Sequence, residues 1–149
     1  MWLGRCLARH ALCSVSTLPD PKLPTRVLDV GIRGNPEEGI RLVDGKNCRG
    51  PYVALSHVWG RSRVITTQIS NIEQRHTGIS LESLSKTFRD AVHAARQLLV
   101  PYLWIDSLCI IQDSGVDWSA EAAKMGEYYA NAMFTISAVS ASSGHCGIF

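Results

Sequence analysis

The strongest constraint on the fold is a set of three nearly continuous apolar runs, too unbroken to face water on either side. The first is Tyr52-Val53-Ala54-Leu55-Ser56-His57-Val58-Trp59, closed by Gly60. A strand without polar alternation must be buried on both faces, the situation of strands in parallel sheets. The period then changes. Leu81, Leu84, Phe88, Ala91, Val92, Ala95, Leu98 and Leu99 recur at spacings of three and four, one apolar face of a helix. Ser83 or Ser85 is placed to cap it, and Pro101 disfavours helical geometry at Val100. A second buried run, Tyr102-Leu103-Trp104-Ile105-Asp106-Ser107-Leu108-Cys109-Ile110-Ile111, follows. Next comes a second helix, with Asp117 or Ser119 as cap and Trp118, Ala122, Met125, Tyr129 and Ala132 on one face. The third run spans residues 133–139. Strand, helix, strand, helix, strand implies an α/β fold: an open, mainly parallel sheet with flanking helices and right-handed crossovers.

Upstream, Val27-Leu28-Asp29-Val30 and Ile40-Arg41-Leu42-Val43 read as an antiparallel hairpin at the entrance to the domain. Residues 64–67 offer a short extended piece. Pro19, Pro21 and Pro24 form an extended spacer. Before them, Trp2, Leu3, Cys6, Leu7 and His10 fall at helical spacing, although Arg5, Arg9 and the absence of acids also match a transit peptide. The expected organisation is an N-terminal amphipathic helix and Pro-rich lead-in over 1–24, then one domain over 25–149. That domain ends soon after its third strand, so truncation at its C-terminus is expected.

The 149 residues suffice for one such domain. A formal net charge of +2, with no basic run or basic-aromatic stripe, gives no support to nucleic-acid binding. Asp106 and Gln112 interrupt the longest apolar stretches, so no membrane span is expected. Five unevenly spaced cysteines are an odd count for a disulfide framework and point to a reducing, cytoplasmic setting.

Asp106 is the most informative candidate. It stands at the carboxyl end of a central strand, where open α/β sheets place ligands, and a charge beside Trp104 and Cys109 must be hydrogen-bonded or used. Asp113 reads as a loop or cap residue. Ser56 and His57 are adjacent on a strand and point to opposite faces, so they do not form a nucleophile–base pair. A His57–Cys109 couple competes with an inert core cysteine. Trp59 and Trp104 offer stacking surfaces or core filling, and Arg61 stands where it could meet a phosphate. No glycine-rich phosphate loop is present. Cys6, His10 and Cys13, with Cys48 as a fourth ligand, are compatible with a metal corner, against the plainer reading of a helix without metal; no metal is expected. Glu121 is expected in the first turn of the second helix, where a carboxylate near the positive helix end, helped by Lys124, has a structural explanation.

Residues 52–60 resemble the first signature block of the fungal heterokaryon incompatibility (HET) family. Tyr102 to Asp113 resembles its second block, in which Trp, Asp and Cys stand at fixed offsets in an apolar run. Asp117-Trp118 with Glu121, Met125, Tyr129 and Ala132 has the spacing of the third. Leu84, Thr87 and Asp90-Ala91 match the intervening helix, with Ser85 where a proline is usual. Upstream, Trp2-Leu3, Cys6, His10, Cys13 and the stretch from Leu23 to Gly31 resemble the family's lead-in. The resemblance implies a module of non-self recognition and programmed cell-death signalling, acting through a protein partner or self-association. It also implies a TIR-like three-layer fold, and with it NAD as substrate of a glycohydrolase. In that reading Glu121 and Asp106 are catalytic, while Ser56, Trp59, Arg61 and Asp106 bind the nucleotide. A non-catalytic adaptor is the alternative. One departure stands against catalysis: the TIR-like catalytic glutamate follows the third strand, and no acid lies between residue 133 and Phe149.

Overall fold

The computed structural model describes residues 9, 21–31, 39–59, 64–138 and 147. The N-terminal helix, the Cys6/His10/Cys13 corner, Gly60 and Arg61 lie outside them.

Among the described residues, five strands form one open sheet in the order β2-β1-β4-β3-β5: β1 Arg26–Asp29, β2 Arg41–Asp44, β3 Tyr52–Ser56, β4 Tyr102–Trp104 and β5 Phe134–Ser137. The parallel nucleus expected from the three apolar runs is present. β3 pairs in parallel with β4 (Tyr52 beside Tyr102, Ala54 beside Trp104) and with β5 (Val53 beside Phe134, Ser56 beside Ser137). Yet the sheet is mixed, which corrects the mainly parallel expectation. The β1–β2 hairpin does not stand apart at the entrance; β1 adds antiparallel to β4, setting Leu28 beside Leu103. Val27 and Leu28 are both fully buried, as an internal strand requires, whereas the edge strands β2 and β5 keep exposed positions.

Tyr52, Val53, Ala54 and Leu55 are buried without remainder, because both sheet faces are covered. Alternation along β3 sorts them. Tyr52 and Ala54, in register with Tyr102 and Trp104, point to the face where Tyr52 donates its hydroxyl to the Tyr128 carbonyl at 2.6 Å. Trp104 packs there against Tyr128 and Tyr129, centroids 5.5 and 5.4 Å away. Val53 and Leu55 point the other way, and His57, next in that series, meets the edge of Phe88 at 4.9 Å.

Among the described residues, five helices connect and cover the strands: α1 Ile72–Thr77, α2 Lys86–Gln97, α3 Asp106–Cys109, α4 Gly115–Ala122 and α5 Met125–Asn131. The helix expected from Leu81 onward divides into a single 3-10 turn, Leu81–Ser83, and α2. Ser85 is its cap, accepting from the Phe88 amide at 3.3 Å. α2 ends in a six-to-one turn: Leu99 donates to Arg96 and Val100 donates to Ala95, with Leu99 at φ +56°. The second expected helix is also two helices, α4 and α5, broken at Ala123-Lys124. Ser114 caps α4, in place of the expected Asp117 or Ser119, by accepting from the Asp117 amide. Trp118 faces solvent instead of lying on a buried stripe. The extended piece at 64–67 reduces to one bridge, Thr67 beside Ile111.

Candidate functional site at the carboxyl ends of the parallel strands

β4 runs directly into α3, so Asp106 opens a one-turn helix at the carboxyl end of an internal strand. The turn from Asp106 to Asp113 is stitched down at almost every carbonyl. Thr67, fully buried, donates its amide to the Ser107 carbonyl at 3.0 Å and its hydroxyl to that of Leu108 at 2.6 Å. Arg26 donates through Nε to the Cys109 carbonyl at 2.8 Å and through Nη2 to Asp117, which also accepts from the Ile111 amide. Gln112 donates its side-chain amide to the carbonyls of Asp106 and Ile110, each at 3.1 Å. Asp113 accepts from the Ile69 amide at 2.8 Å, the loop role expected of it. A short turn leaves its terminal carbonyls without helical partners, and these side chains replace them. The effect is to fix Asp106.

Asp106 accepts on both oxygens: Oδ1 from the Ser107 amide at 2.7 Å, and Oδ2 from the indole Nε1 of Trp59 at 2.9 Å. Trp59 leaves the end of β3 half-exposed, and its ring lies nearly parallel to that of His57, 11° between planes and 6.4 Å between centroids. Beneath it, the His57 side chain is only 4% exposed, with Nδ1 3.7 Å from Asp106 Oδ1. Burial lowers the His57 pKa below its ordinary value, and the Asp106 charge opposes that shift in part. Neither ring nitrogen has a hydrogen-bond partner. Four described residues carry buried side-chain N or O atoms without a partner: His57, Arg75, Trp104 and Ser107. Three of these stand at the ends of β3 and β4. Native interiors leave few such groups, so their concentration at one end of the sheet marks this as the chemically unusual place in the fold.

Of the expected set, the structure joins Trp59 to Asp106 by a hydrogen bond, while Ser56 is exposed at the end of β3. Sequence reasoning rejected His57 as part of a triad and kept it only as a partner for Cys109. Its signal was present as an imidazole in a run otherwise destined for burial.

Glu121 is arranged differently. It lies in the last turn of α4, not the first, because the helix starts at Gly115. It is 2% exposed and fully engaged: Thr25 Oγ1 donates to Oε1 at 2.8 Å, Tyr128 donates to Oε2 at 2.8 Å, and Lys124 Nζ stands 3.1 Å from Oε1. The hydrogen bond to Glu121 is the main cause raising the Lys124 pKa. Burial is the main cause raising that of Tyr128. Glu121 therefore ties α4 and α5 to the start of β1. Cys109 is fully buried and its thiol is pushed up to about 12 by that burial, which makes it an inert core residue and removes the His57–Cys109 couple.

No helix among the described residues is long and apolar enough to cross a membrane. No solved structure matches this chain. The chain is 34% identical over 90 residues to heterokaryon incompatibility protein 6, OR allele, of Neurospora crassa. That match spans 54% of this chain and 13% of the length of the relative. The family described as heterokaryon incompatibility protein (HET) matches residues 52–148, a segment that contains β3, β4, β5 and the whole Trp59–Asp106 cluster. The chain belongs to the heterokaryon incompatibility family.

Proposed function

We propose that this chain is a signalling module of fungal non-self recognition, acting in the cytoplasm to trigger programmed cell death through a protein partner or through self-association. The observation that carries this reading is the family match over 52–148, within which residues 47 positions apart, Trp59 and Asp106, are hydrogen-bonded into one cluster. Coverage of 13% of the relative leaves room for a regulatory region in that protein; here the proposal concerns the module alone.

Within this reading, the cluster at the strand ends is a nucleotide site on a TIR-like, three-layer fold, with NAD as the molecule bound. Trp59 and Asp106 follow the carboxyl ends of the neighbouring parallel strands β3 and β4, the end at which open α/β sheets bind ligands. Ser56 and Trp59 border that place, Asp106 supplies the carboxylate, and Arg61 follows two residues after Trp59. In a glycohydrolase, a carboxylate facing the ribose would stabilise the cationic state as nicotinamide leaves. Asp106 suits this role better than Glu121 because one of its oxygens is held by the half-exposed Trp59, whereas Glu121 is 2% exposed and held by Thr25, Tyr128 and Lys124.

The test is growth arrest on expression in fungal cells, combined with NAD turnover by the purified chain, for wild type, Asp106→Asn and Glu121→Gln. We expect Asp106→Asn to remain folded and to lose the killing effect. Killing undiminished in folded Asp106→Asn sinks the assignment of the site. Killing without any NAD loss would select the adaptor alternative over the glycohydrolase.

A further inference from the structure

We infer that His57 is a ligand-binding residue held in reserve behind Trp59: displacement of the indole opens a paired acceptor site, imidazole Nε2 and the Asp106 carboxylate, for a ligand presenting hydroxyl groups such as a ribose. The inference rests on the nucleotide reading above and names what the site would grip.

Three observations support it. The imidazole is enclosed, 4% exposed, yet both its nitrogens are unpartnered. A buried polar group left unsatisfied is destabilising, so a fold that keeps one retains it against its own stability. The cover over it, Trp59, is half-exposed, and among the described residues its indole is held by one surface hydrogen bond, Nε1 to Asp106 Oδ2. Such a bond contributes little net energy in water and is readily exchanged for a ligand contact. Finally, Asp106 sets the polarity of the ring. With Oδ1 3.7 Å from Nδ1, the favoured tautomer carries its proton on Nδ1, leaving Nε2 as an acceptor. Released from Trp59, Asp106 Oδ2 is a second acceptor, on the carboxylate whose other oxygen lies 3.7 Å from the ring. Two acceptors on neighbouring side chains suit a ligand with more than one donor, and vicinal hydroxyls provide that. Ser107 Oγ, also buried without a partner and adjacent to Asp106, adds a group able to donate or accept.

The experiment uses NAD as probe against wild type, His57→Phe and His57→Leu, following binding by calorimetry and thermal stability without ligand. An apolar ring or chain relieves the unpartnered nitrogens, so at least one variant should melt no lower than wild type. Both should bind NAD about ten-fold more weakly or worse, the equivalent of one lost hydrogen bond. In wild type, the Nε2 resonance of a nitrogen-labelled imidazole should move upfield on addition of NAD, as an acceptor nitrogen does when it receives a proton donor. NAD binding that folded variants retain in full, or an unmoved Nε2 signal at saturation, overturns the role of His57 and leaves the nucleotide reading intact. Absence of any NAD binding to folded wild type removes the nucleotide reading and this inference together.

Discussion

Glu121 is the one residue that α4 buries, and it is an acid. Its charge is tolerated because Thr25, Tyr128 and Lys124 direct donors at it from three different places in the chain. Replacing one oxygen by an amide group would set a donor against one of those donors. Glu121→Gln should therefore lower stability by about 1–3 kcal/mol, seen as a lower urea midpoint at unchanged slope. A midpoint identical to wild type would mean the network contributes nothing to folding. The sequence placed Glu121 on a helix and paired it with Lys124, both visible from spacing of three residues. Its role as an anchor was not visible, because Thr25 and Tyr128 are respectively 96 and 7 positions away, and the former meets it only through the fold. The Trp59–Asp106 bond was hidden for the same reason.

The helices show where local signals suffice and where they do not. α2 was legible in its body and its stop before Pro101, and Ser85 was one of two caps offered, all short-range features; the separate turn at Leu81–Ser83 was not seen. The α4–α5 break was not, since Ala123 and Lys124 are good helix formers and nothing in the sequence punctuates them. The cap of α4 was misplaced because the helix starts earlier than expected, at Gly115: Ser114 caps it, and Asp117 lies inside its first turn, where the carboxylate meets Arg26 and the Ile111 amide. Leu99 is an imperfection at the end of α2. It occupies the left-handed position of the closing turn, where glycine is usual, and its side chain is 73% exposed. Removing that side chain relieves the steric cost of a left-handed non-glycine residue and sacrifices little packing, although glycine also gains freedom in the unfolded chain. Leu99→Gly should thus raise stability by about 0.5–1 kcal/mol, measurable as a higher melting temperature. A lower melting temperature would show that Leu99 packs against more than the structure gives it.

At the scale of the whole molecule, the parallel nucleus was legible because burial on both faces leaves an unbroken apolar run, and the site was legible as far as Asp106 because strand ends of such sheets bind ligands. The docking of the hairpin onto β4 was not, since strand pairing across about seventy residues leaves no periodic trace. That mixed sheet encloses His57 between Phe88, Trp59 and Asp106, and the enclosure links the site to global stability. The sign follows from proton counting. In the unfolded chain the imidazole titrates near its ordinary value of 6.5, whereas burial lowers it in the folded state. Above that pH both states carry a neutral ring and His57 contributes no pH dependence. Below it the unfolded state binds a proton that the folded state refuses, so stability falls as pH falls, until the depressed folded value is reached. One proton gives a slope of at most about 1.4 kcal/mol per pH unit. Urea midpoints between pH 7 and 5 should therefore decline in wild type more steeply than in His57→Phe, which has no imidazole to protonate at this position. Parallel curves for the two proteins would mean that folded His57 accepts its proton as readily as the unfolded chain does. The attraction of Asp106 would then offset the cost of burial, and the enclosed ring would take up its proton over the same pH range as the unfolded chain.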